Sequence, residues 1–226
     1  MNDRNIPPLN PLPMVVWLLT LPMIVLEIAF SMGEAGVIGG AQAVGWRVAA
    51  FEGYGVFPDY WRAQAAIGAW DFELLRRFLT YPFLHYSVGQ TIFGVVILLA
   101  MGKFVGEIFR PWAVAAVFFA GSVVGGLVFA SFVDRQPLFG AFPAVYGLIG
   151  AFTFLLWVRL AASGTNQFRA FSLIGALLFF QLIFGVIFGG GYEWVADISG
   201  FAAGFLLSFV VSPGGFAQVM ERIRQR

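Results

Sequence analysis

Six stretches of almost unbroken apolar residues divide this chain. They run from about Pro13 to Met32, His85 to Val105, Pro111 to Val133, Gly140 to Ala161, Phe171 to Gly190 and Trp194 to Val211. Each is close to the ~20 residues that a helix needs to cross a ~30 Å hydrocarbon core. Lipid offers no partner to a bare N–H or C=O, so such stretches must be helices or strands of a closed barrel. Barrel strands alternate apolar and polar positions with period two, and these stretches do not. The pattern predicts an all-α membrane protein with six spanning helices. It consists of a tail over 1–12, a membrane domain over 13–212 and a tail over 213–226. Pro213-Gly214-Gly215 is expected to stop the last helix. The first stretch does not read as a cleaved signal peptide: its flank holds Arg4, Pro13 and Pro22 interrupt it, and no clear small-x-small site follows.

The first connection, 33–84, breaks the rhythm. It is far longer than the others, yet Tyr54, Phe57, Tyr60, Trp61, Trp70, Phe72 and Phe78 are spread along it. Aromatic side chains with an apolar body and a wet tip suit the membrane interface. The segment from Trp61 to Leu79 reads as one amphipathic helix, and the connection is expected to be interfacial and partly inserted.

Composition agrees with this class and excludes others. Charged residues make up 11% of the chain and hydrophobic residues 60%, against about 25% charged in a soluble domain, so most of the surface must face lipid. A net charge of +1 gives no basic field for nucleic acid. With no Cys and a single histidine, His85, neither disulfides nor a thiolate or multi-histidine metal site can form, and no cofactor is expected. Six spans put both termini on one side, together with Lys103, Arg110, Arg159 and Arg169, while Arg47, Arg62, Arg76, Arg77 and Arg135 fall on the other. Four of those five lie in the long first connection, where the positive-inside rule weakens. The expected location is a bacterial inner membrane with both termini cytoplasmic.

Three motifs, in order along the chain, resemble the rhomboid family. FELLRRFLTYPFLHYSVGQTIFG, Phe72 to Gly94, resembles the rhomboid segment WRxxTxxFxHxxxxHxxxN through Arg77, Thr80, Phe83 and His85, and Gly102 and Glu107 fit the family's later G and E. GAFPAVYGLIGAF, Gly140 to Phe152, is similar to GxSGxxYGLxGA through Gly140, Tyr146, Gly147 and Gly150. DISGFAAGFLLS, Asp197 to Ser208, is similar to HxxGxxxGxxxx through Gly200 and Gly204. The resemblance covers roughly Phe72 to Ser208 and implies a six-helix rhomboid-like bundle. In that family a Ser on the fourth span and a His on the sixth form a catalytic dyad, and His and Asn side chains on the second hold the oxyanion.

At those positions this chain carries Phe142 for the Ser and Asp197 for the His. Pro143 stands for the Gly after the nucleophile, and Gln90 and Gly94 for the oxyanion donors. Phe has no nucleophilic atom, so the resemblance implies a pseudoprotease. An aspartyl dyad of Glu27 with Asp197 would be unusual and lacks that chemistry's signatures. Ser199, two residues past Asp197, points to another face. The sequence has no P-loop, dinucleotide fingerprint or EF-hand.

Two carboxylates remain at bilayer depth, where each costs roughly 2.5–3.5 kcal/mol or more unless it is paired or neutral. Asp197 is expected either to contact a client or to sit in a wet remnant of the active site, bonded to Tyr146 or water. Glu27 is expected either to contact a client or to snorkel to the nearer surface. Gly200-x-x-x-Gly204 and Gly147-x-x-Gly150 are expected to pack helices internally. Gly185 to Gly191 is expected to make the end of the fifth span pliable, and by resemblance that span is a lateral gate. The reading is a pseudoprotease whose partners are lipids and another integral membrane protein. The alternative is a small transporter using an Asp197-lined polar path, with an active protease behind both.

Overall fold

The computed structural model describes residues 11–188 and 191–213; most of both tails and part of the Gly185 to Gly191 run lie outside them. The described chain forms nine α-helices: α1 Met14–Glu34, α2 Trp46–Tyr54, α3 Pro58–Ala66, α4 Phe72–Thr80, α5 Val88–Gly106, α6 Pro111–Phe132, α7 Phe142–Ala162, α8 Ser172–Phe188 and α9 Glu193–Val211. Five of them (α1, α5, α6, α7 and α9) are long and apolar enough to cross a membrane. The remaining apolar stretch is α8, whose 17 residues rise about 26 Å at 1.5 Å per residue, the short end of the spanning range. The helical membrane class read from the sequence is the one observed. The proline at 13 caps α1, and Pro22 lies inside it without ending it.

The centre of the bundle is α7, flanked by α6 and α9. Glycine lets these helices meet. A methyl group on Gly204 would overlap the carbonyl oxygen of Gly147, and one on Gly200 that of Pro143; one on Gly150 would strike the Phe201 carbonyl. From α6, a Cβ on Gly121 would fall 2.8 Å from the Pro143 oxygen and one on Gly125 2.7 Å from that of Ala196. Both glycine pairs thus pack helices internally, as the spacing predicts. Between helices in lipid there is little hydrophobic drive, so such close approach carries much of the association.

The long first connection is ordered, and one expectation about it is corrected. Trp61 to Leu79 is not one helix: α3 ends at Ala66 and α4 begins at Phe72. Gly68 in the left-handed region (φ +67°) turns the chain, and Asp71 caps α4 by accepting from the Leu74 N–H at 2.7 Å. The break lets Trp61 meet Trp70 and Phe78 edge to face, with ring centroids 5.2 and 5.0 Å apart. Two residues of the rhomboid-like motif anchor α4 to the end of α2. Arg77 Nη1 donates to the carbonyls of Glu52 (2.8 Å) and Gly55 (2.9 Å), and the Thr80 hydroxyl to that of Tyr54 (3.0 Å). Val56 pairs with Leu138 as an isolated bridge, and Arg62 meets Asp134 at 2.6 Å, tying the connection to the α6–α7 loop. Ile67, Trp70, Phe72, Leu75 and Leu79 remain exposed on the α3–α4 corner.

Candidate functional site

The site lies where the first turns of α7 and α9 meet α5 and α8. Helix α7 begins at Phe142 with Pro143 in its first turn, where a proline's missing N–H goes unnoticed and its fixed φ suits the helix. Phe142 is half-buried against the main core and Pro143 is buried. The Pro143 carbonyl packs against Gly200, and its ring faces Gly125 of α6. The segments that open α7 and α9 therefore meet where Pro143 packs against Gly200.

On the α5 side, Gln90 and Gly94 lie against His85 and the start of α7. The Gln90 amide oxygen accepts from the Tyr86 N–H at 2.7 Å, and its nitrogen lies beside Gly140, whose φ of +98° only glycine adopts readily. Gly94 leaves room for an imidazole: a Cβ there would stand 3.2 Å from His85 Nε2. That nitrogen accepts from the Ala141 N–H at 3.4 Å. The room that a longer side chain at position 94 would take is filled by a buried histidine.

Asp197 is 2% exposed. The direct bond to Tyr146 is not made: Asp197 Oδ2 accepts instead from Gln181 Nε2 of α8 at 2.8 Å. Tyr146 is reached through the same amide, its hydroxyl lying 3.5 Å from Gln181 Oε1. Asp197 Oδ1 is buried and accepts nothing among the described residues. Sequence reasoning missed Gln181. Its signal was a lone amide in an apolar run facing a carboxylate that needed a donor. Ser199 points elsewhere, as expected, and donates to the Val195 carbonyl at 2.7 Å.

Glu27 is placed apart from this site and does not snorkel. It is 7% exposed. Arg47 of α2 takes both its oxygens, Nη1 to Oε2 at 3.0 Å and Nη2 to Oε1 at 2.9 Å. The hydroxyls of Thr91 (2.8 Å) and Ser31 (3.1 Å) donate to it as well. Arg47 also donates to Glu34 at 2.7 Å and to the His85 carbonyl at 2.7 Å. Hydrogen bonding to Glu27, aided by Glu34, raises the Arg47 pKa beyond its already high value. A cleft of about 270 Å³ between α1 and α5 reaches Glu27 and Thr91, but its walls are Ile24, Ile28, Val88, Ile92, Val95 and Val96, which offer no polar path. Among the described residues no cluster of His, Cys, Asp and Glu could hold a metal ion.

A bundle of apolar helices whose glycine-packed α6, α7 and α9 gather a few polar groups at one end defines an integral membrane protein with an internal helix-side site. Residues 73–214 match the family model described as the Rhomboid domain, and the chain belongs to the rhomboid family. It is similar to "Inactive RHOMBOID-like protein 8" of Arabidopsis thaliana, with 32% identity over 129 residues, 55% of this chain and 35% of that protein. The chain thus spans about a third of the curated relative it matches.

Proposed function

We propose that this chain is a rhomboid pseudoprotease that binds transmembrane segments of other membrane proteins without cleaving them. The observation that carries this reading is the presence of Phe142 at the head of α7 and of a buried Asp197 on α9 with one oxygen unbonded among the described residues. Rhomboid chemistry needs an oxygen nucleophile where Phe142 stands and a neutral imidazole where Asp197 stands. Losing the nucleophile from such a unit costs roughly 10⁶ in turnover, and losing an oxyanion donor roughly 10²–10³. The relative's designation as inactive supports the same conclusion. What remains is a scaffold that acts on a client only through binding, with Asp197 as its polar contact.

Purified protein is expected to cleave no rhomboid model substrate and to take up no fluorophosphonate probe. Cleavage that survives Phe142→Ala and Asp197→Asn in a clean preparation would overturn the proposal. Phe142→Ser, Pro143→Gly and Asp197→His together are expected to recover little, because Gln90 and Gly94 still hold the oxyanion positions.

The proposed orientation puts both termini in the cytoplasm. A reporter fused after Arg226 is expected to read cytoplasmic, and one inserted at Gly53 is expected to read translocated. The reverse pattern contradicts the orientation, and tails on opposite faces contradict six spans.

A further inference from the structure

Helix α8 is fastened along one face. Ile174 is buried, and Leu173, Leu177 and Leu178 pack against the core, whereas Phe179, Phe180, Ile183 and Ile187 face outward. The close backbone approaches that knit α6, α7 and α9 together are few between α8 and those helices among the described residues. Residue 181 continues the inward face at helical spacing from 174, 177 and 178. In the run SLIGALLFFQLIFGVIF it brings an amide into an otherwise apolar helix. A buried amide is costly unless hydrogen-bonded, and the group that satisfies it is Asp197 at 2.8 Å.

The carboxylate is not saturated in return. An ionised carboxylate has about four acceptor sites, and Asp197 Oδ1 accepts nothing among the described residues. Asp197 is therefore bonded to a donor on a helix that makes few close approaches to α6, α7 and α9 among the described residues, while holding acceptor capacity in reserve. An apolar helix that delivers one amide to Asp197 at mid-helix is also what a foreign transmembrane segment would have to present.

Resting on the client-holding reading above, we infer that α8 occupies the recognition site itself: Gln181 stands in for the client, and the client is a transmembrane segment with a carboxamide side chain near its middle that displaces Gln181 from Asp197. The two partners of this bond then have opposite effects. Removing Gln181 vacates the site and strengthens capture. Removing Asp197 abolishes it. A bond that only stabilises the fold would weaken capture from either side.

The test uses the full chain in phosphatidylcholine–phosphatidylglycerol vesicles, with fluorescent single-span peptides of Leu-Ala core carrying a central Gln or a central Leu. Wild-type protein is expected to bind the Gln peptide roughly three- to thirtyfold more tightly than the Leu peptide, the range of intramembrane hydrogen bonds. Gln181→Ala is expected to widen that preference severalfold, and Asp197→Leu to erase it. Because the chain has no native Cys, spin labels on Phe180→Cys and Ile198→Cys report the α8–α9 distance independently of any client. Gln181→Ala is expected to lengthen and broaden it. If wild type prefers the Gln peptide but Gln181→Ala changes neither the distance nor the preference, self-occupancy is wrong and client holding survives. If Gln181→Ala frees α8 yet neither protein tells the peptides apart, client holding itself is wrong and the inference falls with it. Should Asp197→Leu fail to fold, the sign of the Gln181→Ala effect decides alone.

Discussion

Arg47→Ala is expected to destabilise the protein by about 3–5 kcal/mol, the cost of removing one partner from a buried ion pair. The guanidinium and the Glu27 carboxylate have side-chain exposures of 9% and 8%, so water cannot replace the lost partner. Glu27 would keep only the Thr91 and Ser31 hydroxyls. The His85 carbonyl would lose a donor at 2.7 Å. That carbonyl belongs to the segment leading into α5, so the damage is expected to spread from α2 to the rim of the site. Glu34 matters less, because it is 44% exposed and water can take it back. The double variant Glu27→Leu with Arg47→Met is expected to recover most of the loss, since replacing a whole buried pair by apolar groups is often neutral or better. Unfolding of the detergent-solubilised protein by heat or by titrated denaturant measures both. Equal destabilisation by the single and the double variant would contradict this account of the pair.

Gly204→Leu is the second large effect. The new side chain would run into the Gly147 carbonyl, which is helix backbone and cannot rotate away. Helices α7 and α9 would have to separate, and the same interface holds Gly200 against Pro143 and Gly150 against Phe201. Overpacking typically costs 1–3 kcal/mol when side chains can yield; against a rigid carbonyl the expected loss is about 3 kcal/mol or more. Separation would also carry Asp197 away from Tyr146, so client capture should fall together with stability. The control is Gly175→Ala on α8, where a methyl group meets nothing within 4 Å. It is expected to be neutral or slightly stabilising, because alanine is the better helix former by up to about 1 kcal/mol. Thermal unfolding of the two variants side by side separates a packing effect from a general intolerance of glycine replacement.

The spans were legible because lipid leaves the backbone no alternative to helix, so length and hydropathy alone reveal them. The glycine contacts were legible for a related reason: spacings of three and four residues put Gly147 with Gly150 and Gly200 with Gly204 on single faces, and small residues are what helices in lipid use to approach. The break between α3 and α4 was not read, because the amphipathic pattern carries across Gly68 to Asp71 and hides a turn that only the left-handed glycine and the Asp71 cap disclose. Glu27 was misplaced for a different reason. A carboxylate in an apolar run announces that it needs a partner without naming it, and Arg47 stands 20 residues away in a glycine- and alanine-rich connection. Asp197 posed the same question, and its answer, Gln181, lies on another helix 16 residues earlier. Composition can count such groups, but only the bundle's geometry pairs them.

Photocrosslinking from the outer faces of α5 and α8 tests the central claim most directly. A benzoylphenylalanine at Ile92 on α5 or Phe180 on α8, both exposed on the surface of the bundle, can be irradiated in cell membranes and the adducts identified by intact mass. The account predicts adducts with a full-length, uncleaved membrane protein that compete with one another for occupancy and are lost in Asp197→Leu while the protein remains folded. Adducts with lipid alone, adducts indifferent to Asp197→Leu, or adducts that are truncated at a membrane span would contradict it.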